Sequence, residues 1–234
     1  MKILALEASS VVAGVAIMDN LTLVYEAYHH HKLNHSQTLM PMVEEALLST
    51  DLVLHDIDVI AVSNGPGSFT GLRIGIATVK GLAHAAGIRI AAVPTLDVLA
   101  YNIMAAGRLV CPILDARRDQ VYTCLYQWDT EQYKSLMPYS AMPVDDLAEA
   151  VKGFDQPVVF VGDGVFRYKQ ALKDQLGESA YFAPPHLCCQ RASATAWLGH
   201  LYAQKGMCVS HYELEPFYLR KSQAEQKKLS GGAS

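Results

Sequence analysis

The sequence predicts an α/β protein of two lobes, each built on a mixed sheet that is flanked by helices. Two groups of strand-like segments, at residues 2–29 and 110–142, contain turns so short that neighbouring strands must be antiparallel. A helix–strand–helix pattern follows each group, so the order β-β-β-α-β-α occurs twice. The length of 234 residues accommodates two such units. We expect lobes at residues 1–107 and 108–222 and a disordered polar tail at residues 223–234.

The elements of the first lobe follow from composition and hydrophobic spacing. Runs rich in Val, Ile, Leu and Tyr predict the strands, and apolar residues at i, i+4, i+7 and i+8 predict the first helix. Asn34 or Ser36 is a candidate cap for that helix, Pro41 should bend its first turns, and Gly87 should end the second helix. The predicted strands are residues 2–8, 11–18, 21–29, 59–63 and 88–93, and the predicted helices are residues 36–50, 71–86 and 95–106.

The second lobe repeats this order without matching residue identities, so the duplication is one of pattern. Its first three strands read as another antiparallel meander, and an apolar run then predicts a buried strand between two helices. The predicted strands are residues 110–115, 121–128, 133–142, 158–162 and 181–183, and the predicted helices are residues 144–151, 166–176 and 191–204.

Charge and composition exclude several classes of protein. The chain has 19 Lys and Arg against 23 Asp and Glu, and this balance excludes a generally basic protein that coats nucleic acid. No apolar run approaches the roughly 20 residues that a membrane span needs, and the N-terminal run lacks an export signal. The five cysteines are odd in number and lack C-x-x-C spacing. We therefore expect a cytoplasmic protein with reduced thiols and no membrane contact.

A glycine-rich segment, S-N-G-P-G-S-F-T-G-L-R-I-G at residues 63–75, joins a predicted strand to a predicted helix. Backbone N–H groups at such a junction form a candidate anion or nucleotide loop, here at Gly65, Gly67 and Ser68. The segment is not a Walker loop, because no Gly-Lys-Ser/Thr ends it. A purely structural tight turn is the alternative.

Two acids occupy equivalent points, since Glu7 ends the first strand of one lobe and Asp115 that of the other. Facing a cleft, they could hold a magnesium–phosphate group, and turn capping is the alternative. His31 and His35 give H-x-x-x-H, but they belong to different elements, so we expect no metal there.

The predicted helix after the glycine segment carries Gly and Ala at helical spacing, and the helix before it carries extra methionines and leucines. Small residues allow close approach of another backbone, which is either the protein's own sheet or a partner helix. Both interpretations stay open on the residues alone.

Three segments together carry a resemblance to a known family. They are N-G-P-G-S-F-T-G-L-R-I-G at residues 64–75, L-D-A-R-R-D-Q-V-Y at residues 114–122 and E-P-F-Y-L-R-K-S at residues 215–222. The chain resembles the bacterial TsaB family, formerly YeaZ, along nearly its whole length. The resemblance implies two ribonuclease-H-like (actin/hexokinase-like) lobes. It also implies a subunit of the machinery that makes N6-threonylcarbamoyladenosine beside the anticodon of tRNAs reading ANN codons.

The resemblance further implies partners and a non-catalytic role. The partners are TsaD, a catalytic paralogue, and TsaE, a small ATPase, with tRNA contacted indirectly. Thr95 and Leu99 stand where the two metal-binding histidines of TsaD would be, so no metal and no catalysis are expected. Glu7 replaces the Asp usual in the family, which weakens the expectation of nucleotide binding. ATP or ADP with magnesium at a subunit junction stays open as a cofactor.

The implied contact with TsaD is a bundle formed by the two helices that flank the glycine segment. The same surface would form a homodimer when no partner is present. An ATP-dependent phosphotransferase that uses Glu7 and Asp115, and a metallopeptidase, are the alternative functions. The expected interface residues are Leu39, Met42, Val43, Ala46, Gly71, Arg73, Gly75, Thr78, Lys80 and Leu82.

Overall fold

The first sheet confirms the predicted antiparallel meander followed by parallel strands. A computed structural model describes residues 1–30 and 35–220. Its first sheet has the order β3-β2-β1-β4-β5, in which β1, β2 and β3 are antiparallel and β1, β4 and β5 are parallel. The strands are β1 (Lys2–Glu7), β2 (Ala13–Asp19), β3 (Thr22–His29), β4 (Val59–Gly65) and β5 (Arg89–Pro94). The predicted tail, the candidate cap Asn34 and His31 lie outside the described residues.

Two long helices cover one face of this sheet. They are α1 (His35–Ser49) and α2 (Phe69–Ala86), and their apolar residues share one core with β1, β2 and β4. The Ser68 hydroxyl accepts a hydrogen bond from the Gly71 N–H at the start of α2, and Gly87, with φ of 68°, ends it as predicted. α1 begins at His35, so Ser36 lies inside the helix and is not its cap.

A third helix, α3 (Thr95–Ala100), is shorter than the predicted residues 95–106. The second sheet has the strand order β10-β7-β6-β11-β12, which repeats the order of the first sheet. α4 (Val144–Lys152) and α5 (Gly164–Leu176) confirm the two predicted helices of this lobe. The strands are β6 (Leu109–Asp115), β7 (Gln120–Thr123), β8 (Tyr126–Asp129), β9 (Gln132–Ser135), β10 (Ser140–Pro143), β11 (Val158–Val161) and β12 (Ala180–Phe182).

The second meander differs from the prediction of three strands, because residues 121–128 and 133–142 each form two strands. β7 pairs with the end of β6, whereas β8 pairs with its beginning, so the chain must change course at the buried pair Cys124 and Leu125. The β8–β9 hairpin is therefore an addition to the repeated five-strand order.

The last helix, α6 (Ala192–Gln204), packs on the opposite face of the first sheet from α1 and α2. A Cβ on Gly199 would lie only 2.5 Å from the Cβ of Ala61, so a small residue is needed for this close packing. A helix from the second half of the chain therefore packs on the first sheet. The predicted boundary between the lobes, at residues 107 and 108, stays a prediction, but α6 lies after that boundary and packs on the first lobe.

The segment after α6 also returns to the first lobe. Val209 forms a β-bridge with Ile90, Leu214 is buried in the core beneath α1 and α2, and the Phe217 N–H donates to the Asn64 carbonyl at 2.7 Å. This places residues 217–220 at the mouth between the two sheets. Among the described helices, none has both the length and the apolar composition that crossing a membrane requires.

Candidate functional site

A cleft of about 600 Å³ lies between the two lobes. Four segments and Asp163 line it, and the segments are the β1–β2 turn, the glycine-rich segment after β4, the β6–β7 turn and residues 217–220. The carboxyl ends of β1, β4 and β6 therefore converge there, as expected for a binding site in an α/β protein. Of the predicted nucleotide-loop residues, Gly67, Ser68 and Asp115 line the cleft, whereas Gly65 and Glu7 do not.

The glycines of the loop allow close contact with the protein's own backbone. A Cβ on Gly67 would lie 2.1 Å from the Ser9 carbonyl oxygen, and one on Gly65 would lie 2.2 Å from that of Phe217. The Ser68 N–H donates to the Ser9 carbonyl at 2.6 Å and is not free for an anion. These contacts favour the tight-turn interpretation, and an anion at this loop stays a prediction.

Glu7 is fully buried below the cleft. Its carboxylate accepts hydrogen bonds from the Ser9 N–H at 2.6 Å and from the hydroxyls of Ser9 and Ser63. Burial raises the pKa of Glu7 above its ordinary value, because an ionised carboxylate is poorly solvated there, although these hydrogen bonds partly oppose the shift. The geometry favours the turn-capping role and leaves Glu7 unable to reach a ligand in the cleft.

Asp115 is at the cleft but its oxygens are occupied. Its Oδ1 accepts from the Arg117 N–H at 2.9 Å and from the Tyr168 hydroxyl at 3.1 Å, and its Oδ2 lies 3.2 Å from the guanidinium of Arg167. Asp163 accepts the Asp115 N–H at 3.0 Å. A magnesium ion bound to a nucleotide needs available carboxylate oxygens. The residues present therefore do not fit the Mg–ATP site that the phosphotransferase alternative requires.

Replacing Glu7 by Gln should change how stability depends on pH. Because the folded state holds the Glu7 proton to a higher pH than the unfolded state does, the free energy of unfolding falls as pH rises through that interval. A glutamine can donate to Ser63, which can then donate to Thr195 at 3.2 Å. Urea denaturation between pH 4 and pH 8 should show Glu7→Gln gaining stability relative to the parent as pH rises. The same gain in Glu131→Gln, an exposed carboxyl, would contradict this explanation.

The predicted interface residues fall into two groups. The four residues of α1 that we expected at an interface are not available for one in this structure. All four point into the core of the first lobe, where the sheet covers them. Gly71 and Gly75 of α2 also face inward, where their close neighbour is Ala8 of the β1–β2 turn. The buried α1 residues are Leu39, Met42, Val43 and Ala46.

The rest of α2 does present a surface. Arg73 is exposed, and Thr78, Lys80 and Leu82 are half-buried. The predicted list omitted Ala77 and Gly81, which are exposed on the outer side of α2. A helical projection centred on the apolar core positions would have separated these outward residues from the inward glycines.

Thr95 and Leu99, the positions at which the resemblance led us to expect no metal ligands, are both fully buried at α3. Within residues 1–30 and 35–220, no three His, Cys, Asp or Glu side chains gather in a way that could hold a metal ion. His35 uses its Nε2 to contact the Ser10 carbonyl at 2.8 Å.

Two sheets of the same strand order, with a cleft between them, define a two-lobed protein of the actin/hexokinase-like class. A ROK hexokinase from Thermus thermophilus has this fold, with a TM-score of 0.50 at 12% identity, covering 87% of this chain and 100% of the other. That likeness shows the fold alone. The family follows from closer comparisons.

Residues 26–228 match the family model described as TsaD: tRNA N6-adenosine threonylcarbamoyltransferase. The tRNA threonylcarbamoyladenosine biosynthesis protein TsaB of Bacillus subtilis (strain 168) is 36% identical over 227 residues, which is 97% of each chain. A Pseudomonas aeruginosa crystal structure, described as an uncharacterized protein with similarity to peptidase YEAZ, has a TM-score of 0.79 at 27% identity, covering 94% of this chain and 99% of the other. The chain belongs to the TsaB (YeaZ) family, within the sequence family that the TsaD model describes.

Proposed function

We propose that this chain is a non-catalytic subunit in the formation of N6-threonylcarbamoyladenosine beside the anticodon of tRNAs reading ANN codons. In this proposal it binds and supports TsaD in the cytoplasm, with TsaE as a further partner and tRNA contacted through TsaD. Without TsaD it forms a homodimer through the same surface. The observation that carries the proposal is an outer surface on α1 and α2 that is made of apolar and small residues.

This outer surface is defined by Met40 and Leu48 of α1 and by Ala77 and Gly81 of α2. Met40 is 38% exposed and Leu48 is 79% exposed. Outside its chain neighbours and the nearby backbone of α2, no described atom lies within 4 Å of a Cβ placed on Gly81. The small size of Gly81 therefore serves no packing contact within the described part of the chain. A glycine inside a helix costs about 1 kcal/mol relative to alanine. Close approach of a partner helix explains why a glycine is kept there.

Charged groups surround this apolar centre. Arg73 and Lys80 lie on α2, and Glu44 and Glu45 are exposed on α1. A centre of apolar and small residues within a charged rim is the usual composition of a specific protein interface. Charges of both signs at the rim favour one orientation of the partner over others.

The alternative functions have less support from the geometry. A phosphotransferase would need Glu7 and Asp115 at Mg–ATP, but Glu7 is buried and Asp115 pairs with Arg167. A metallopeptidase would need imidazole ligands where Thr95 and Leu99 stand. The binding role accounts for the outer surface of α1 and α2, which these alternatives leave unexplained.

Replacing Gly81 by arginine tests the role of the outer surface. The new side chain has open space in the isolated chain, so the fold should be retained, whereas a docked helix would be displaced. We expect at least a tenfold loss of affinity for TsaD, which corresponds to about 1.4 kcal/mol. Size-exclusion chromatography with light scattering should show the parent changing from homodimer to one-to-one heterodimer when TsaD is added, and the variant failing to do so.

Ala106→Arg is the matched control, because Ala106 is an exposed small residue in the turn before β6. Its affinity for TsaD should equal that of the parent. Lys80→Glu should also weaken the complex. Arg73→Glu is less informative, since Arg73 lies over the Phe69 ring and donates to the Tyr218 hydroxyl at 3.3 Å. Unchanged TsaD binding by Gly81→Arg and Lys80→Glu would refute the proposed surface.

A further inference from the structure

We infer that His84 and His211 form a binding site for a divalent transition-metal ion such as Zn²⁺, with water in the remaining coordination positions. His84 lies in the last turn of α2, and His211 lies in the segment after α6 that returns to the first lobe. Neither residue lines the cleft, and the inference does not depend on TsaD binding. A bound ion would join the C-terminal segment to α2.

The two imidazole rings meet at the spacing of a shared metal ion. The Nδ1 atom of His84 lies 3.1 Å from the Nε2 atom of His211. Two imidazole nitrogens that each bind one ion at about 2.0 to 2.1 Å, with tetrahedral or octahedral angles, are about 2.9 to 3.4 Å apart. The observed separation is therefore within the range that a chelated ion requires.

The orientation of the rings departs from a straight hydrogen bond. A linear N–H···N bond along both ring axes would place the ring centroids about 5.4 Å apart. The centroids are 4.7 Å apart, with an interplanar angle of 58°, so the ring axes are bent at the contact. If the two rings share this bend equally and on one side, their lone-pair axes meet about 2.2 Å from each nitrogen, close to the length of a metal–imidazole bond.

Both histidines are on segments that the fold holds in place. His84 belongs to a long helix whose inner face is buried in the core of the first lobe. In the other segment, Val209 and Ile90 exchange two backbone hydrogen bonds, at 2.8 and 2.9 Å, and Leu214 is buried in the same core. Since His211 lies between these two anchors, little conformational freedom is lost when an ion binds.

The pair is accessible to solvent and has a carboxylate nearby in the chain. His84 is exposed and His211 is half-buried, so an ion can reach both rings. Glu213 accepts hydrogen bonds from the N–H and the hydroxyl of Ser210, at 2.8 and 2.7 Å, and these bonds lower the pKa of its carboxyl. The carboxylate therefore stays ionised at neutral pH and offsets the positive charge of Arg89, which also lowers its pKa.

Ligand chemistry decides which ions fit this pair. Imidazole nitrogen suits Zn²⁺, Cu²⁺ and Ni²⁺, whereas Mg²⁺ and Ca²⁺ take oxygen ligands. Within residues 1–30 and 35–220, no third His, Cys, Asp or Glu joins the pair to complete a metal site. We therefore expect a Kd in the micromolar range, weaker than that of a structural zinc site with four protein ligands.

Calorimetric titration of the metal-free full chain with Zn²⁺ tests the inference. His84→Gln and His211→Gln should each weaken binding at this pair at least tenfold, because each removes one of its two protein ligands. Glutamine keeps a hydrogen-bonding group at the position, so the melting temperature without metal should stay close to that of the parent. His186→Gln is the matched control, since His186 is an exposed histidine after β12, and it should bind Zn²⁺ as the parent does.

Hydrogen exchange shows where the ion binds. Zn²⁺ should slow amide exchange across residues 210–216 of the parent, because the ion ties this segment to α2, and should leave exchange unchanged in His84→Gln. An ion held by other histidines of the chain would not protect this segment. No Zn²⁺ binding by the parent, undiminished binding by both variants, equal weakening by His186→Gln, or unaltered exchange at residues 210–216 would each overturn the inference.

Discussion

Gly67→Ala is expected to destabilise the chain by about 3 kcal/mol, the largest effect that we predict for so small a change. The added Cβ would lie 2.1 Å from the Ser9 carbonyl oxygen and 3.0 Å from its carbon. These are backbone atoms and cannot rotate away. The shift needed would also break the hydrogen bond from the Ser68 N–H to the Ser9 carbonyl. The free energy of unfolding in urea measures the loss.

Gly81→Ala is the matched control for Gly67→Ala, since the two glycines lie in the same loop–helix segment. A Cβ on Gly81 meets no described atom within 4 Å outside the nearby backbone of its own helix, so the variant should gain up to about 1 kcal/mol from helix propensity. The same substitution thus has opposite signs at the two positions. A similar stability change for both variants would contradict the close packing of the loop on the β1–β2 turn.

Glu26→Ala should lower the free energy of unfolding by about 2 to 3 kcal/mol. Glu26 lies on β3 and joins the first sheet to the start of α6. Its carboxylate is held by the guanidinium of Arg191, and it accepts the Ser193 N–H at 3.1 Å and the Ser193 hydroxyl at 2.7 Å. Removing the carboxylate leaves Arg191 and the first turn of the helix without their partner.

The pH dependence gives an independent check on Glu26. Burial opposes ionisation of Glu26, but the hydrogen bonds from Arg191 and Ser193 outweigh it, so the pKa of its carboxyl is lowered. The stabilisation is therefore present above the unfolded-state pKa and is lost as pH falls through the folded-state pKa. The difference in unfolding free energy between the parent and Glu26→Gln should shrink in acid.

Glu149→Ala is the control for Glu26→Ala. It removes the exposed ion pair with Lys152 on α4 and should cost less than about 1 kcal/mol. Equal losses for Glu26→Ala and Glu149→Ala would show that Glu26 does not hold α6 to the first sheet.

Local patterns predicted most of the secondary structure correctly. Strands β1 to β5 lie within a few residues of their predicted positions, and Gly87 ends α2 with a positive φ. These features depend on near neighbours in sequence: side-chain alternation, helical spacing and the conformational freedom of glycine. The second meander was not predicted correctly. β7 and β8 pair with opposite ends of the same strand, β6, and local patterns do not show which end each of them meets.

The candidate site was only partly predictable. The sequence pointed to the glycine segment, to Glu7 and to Asp115, but hydrogen bonds to Ser9, Ser63 and Tyr168 occupy them. Ser63 and Tyr168 are more than 50 residues away in sequence from the acids that they contact. Ser9 is two residues from Glu7, but residue spacing does not predict the geometry of the turn that brings them together. The interface stays a prediction, but the four residues named for it on α1 lie on the buried face of that helix, because the side that meets the sheet depends on the helix's rotation.

The order of the elements, the doubled pattern, the motifs of the TsaB family and the lack of histidine at positions 95 and 99 can all be read from the sequence. That α6 and residues 217–220 return to the first lobe, and that Glu7 is buried, is visible only in the folded chain. The same is true of the meeting of Arg117 and Arg118 with Arg220 at one cleft. The difference follows from the distance along the chain over which each property is set. Helical and strand periodicity depends on neighbouring residues, whereas the burial of a side chain and the meeting of distant segments at one cleft depend on contacts between parts of the chain far apart in sequence.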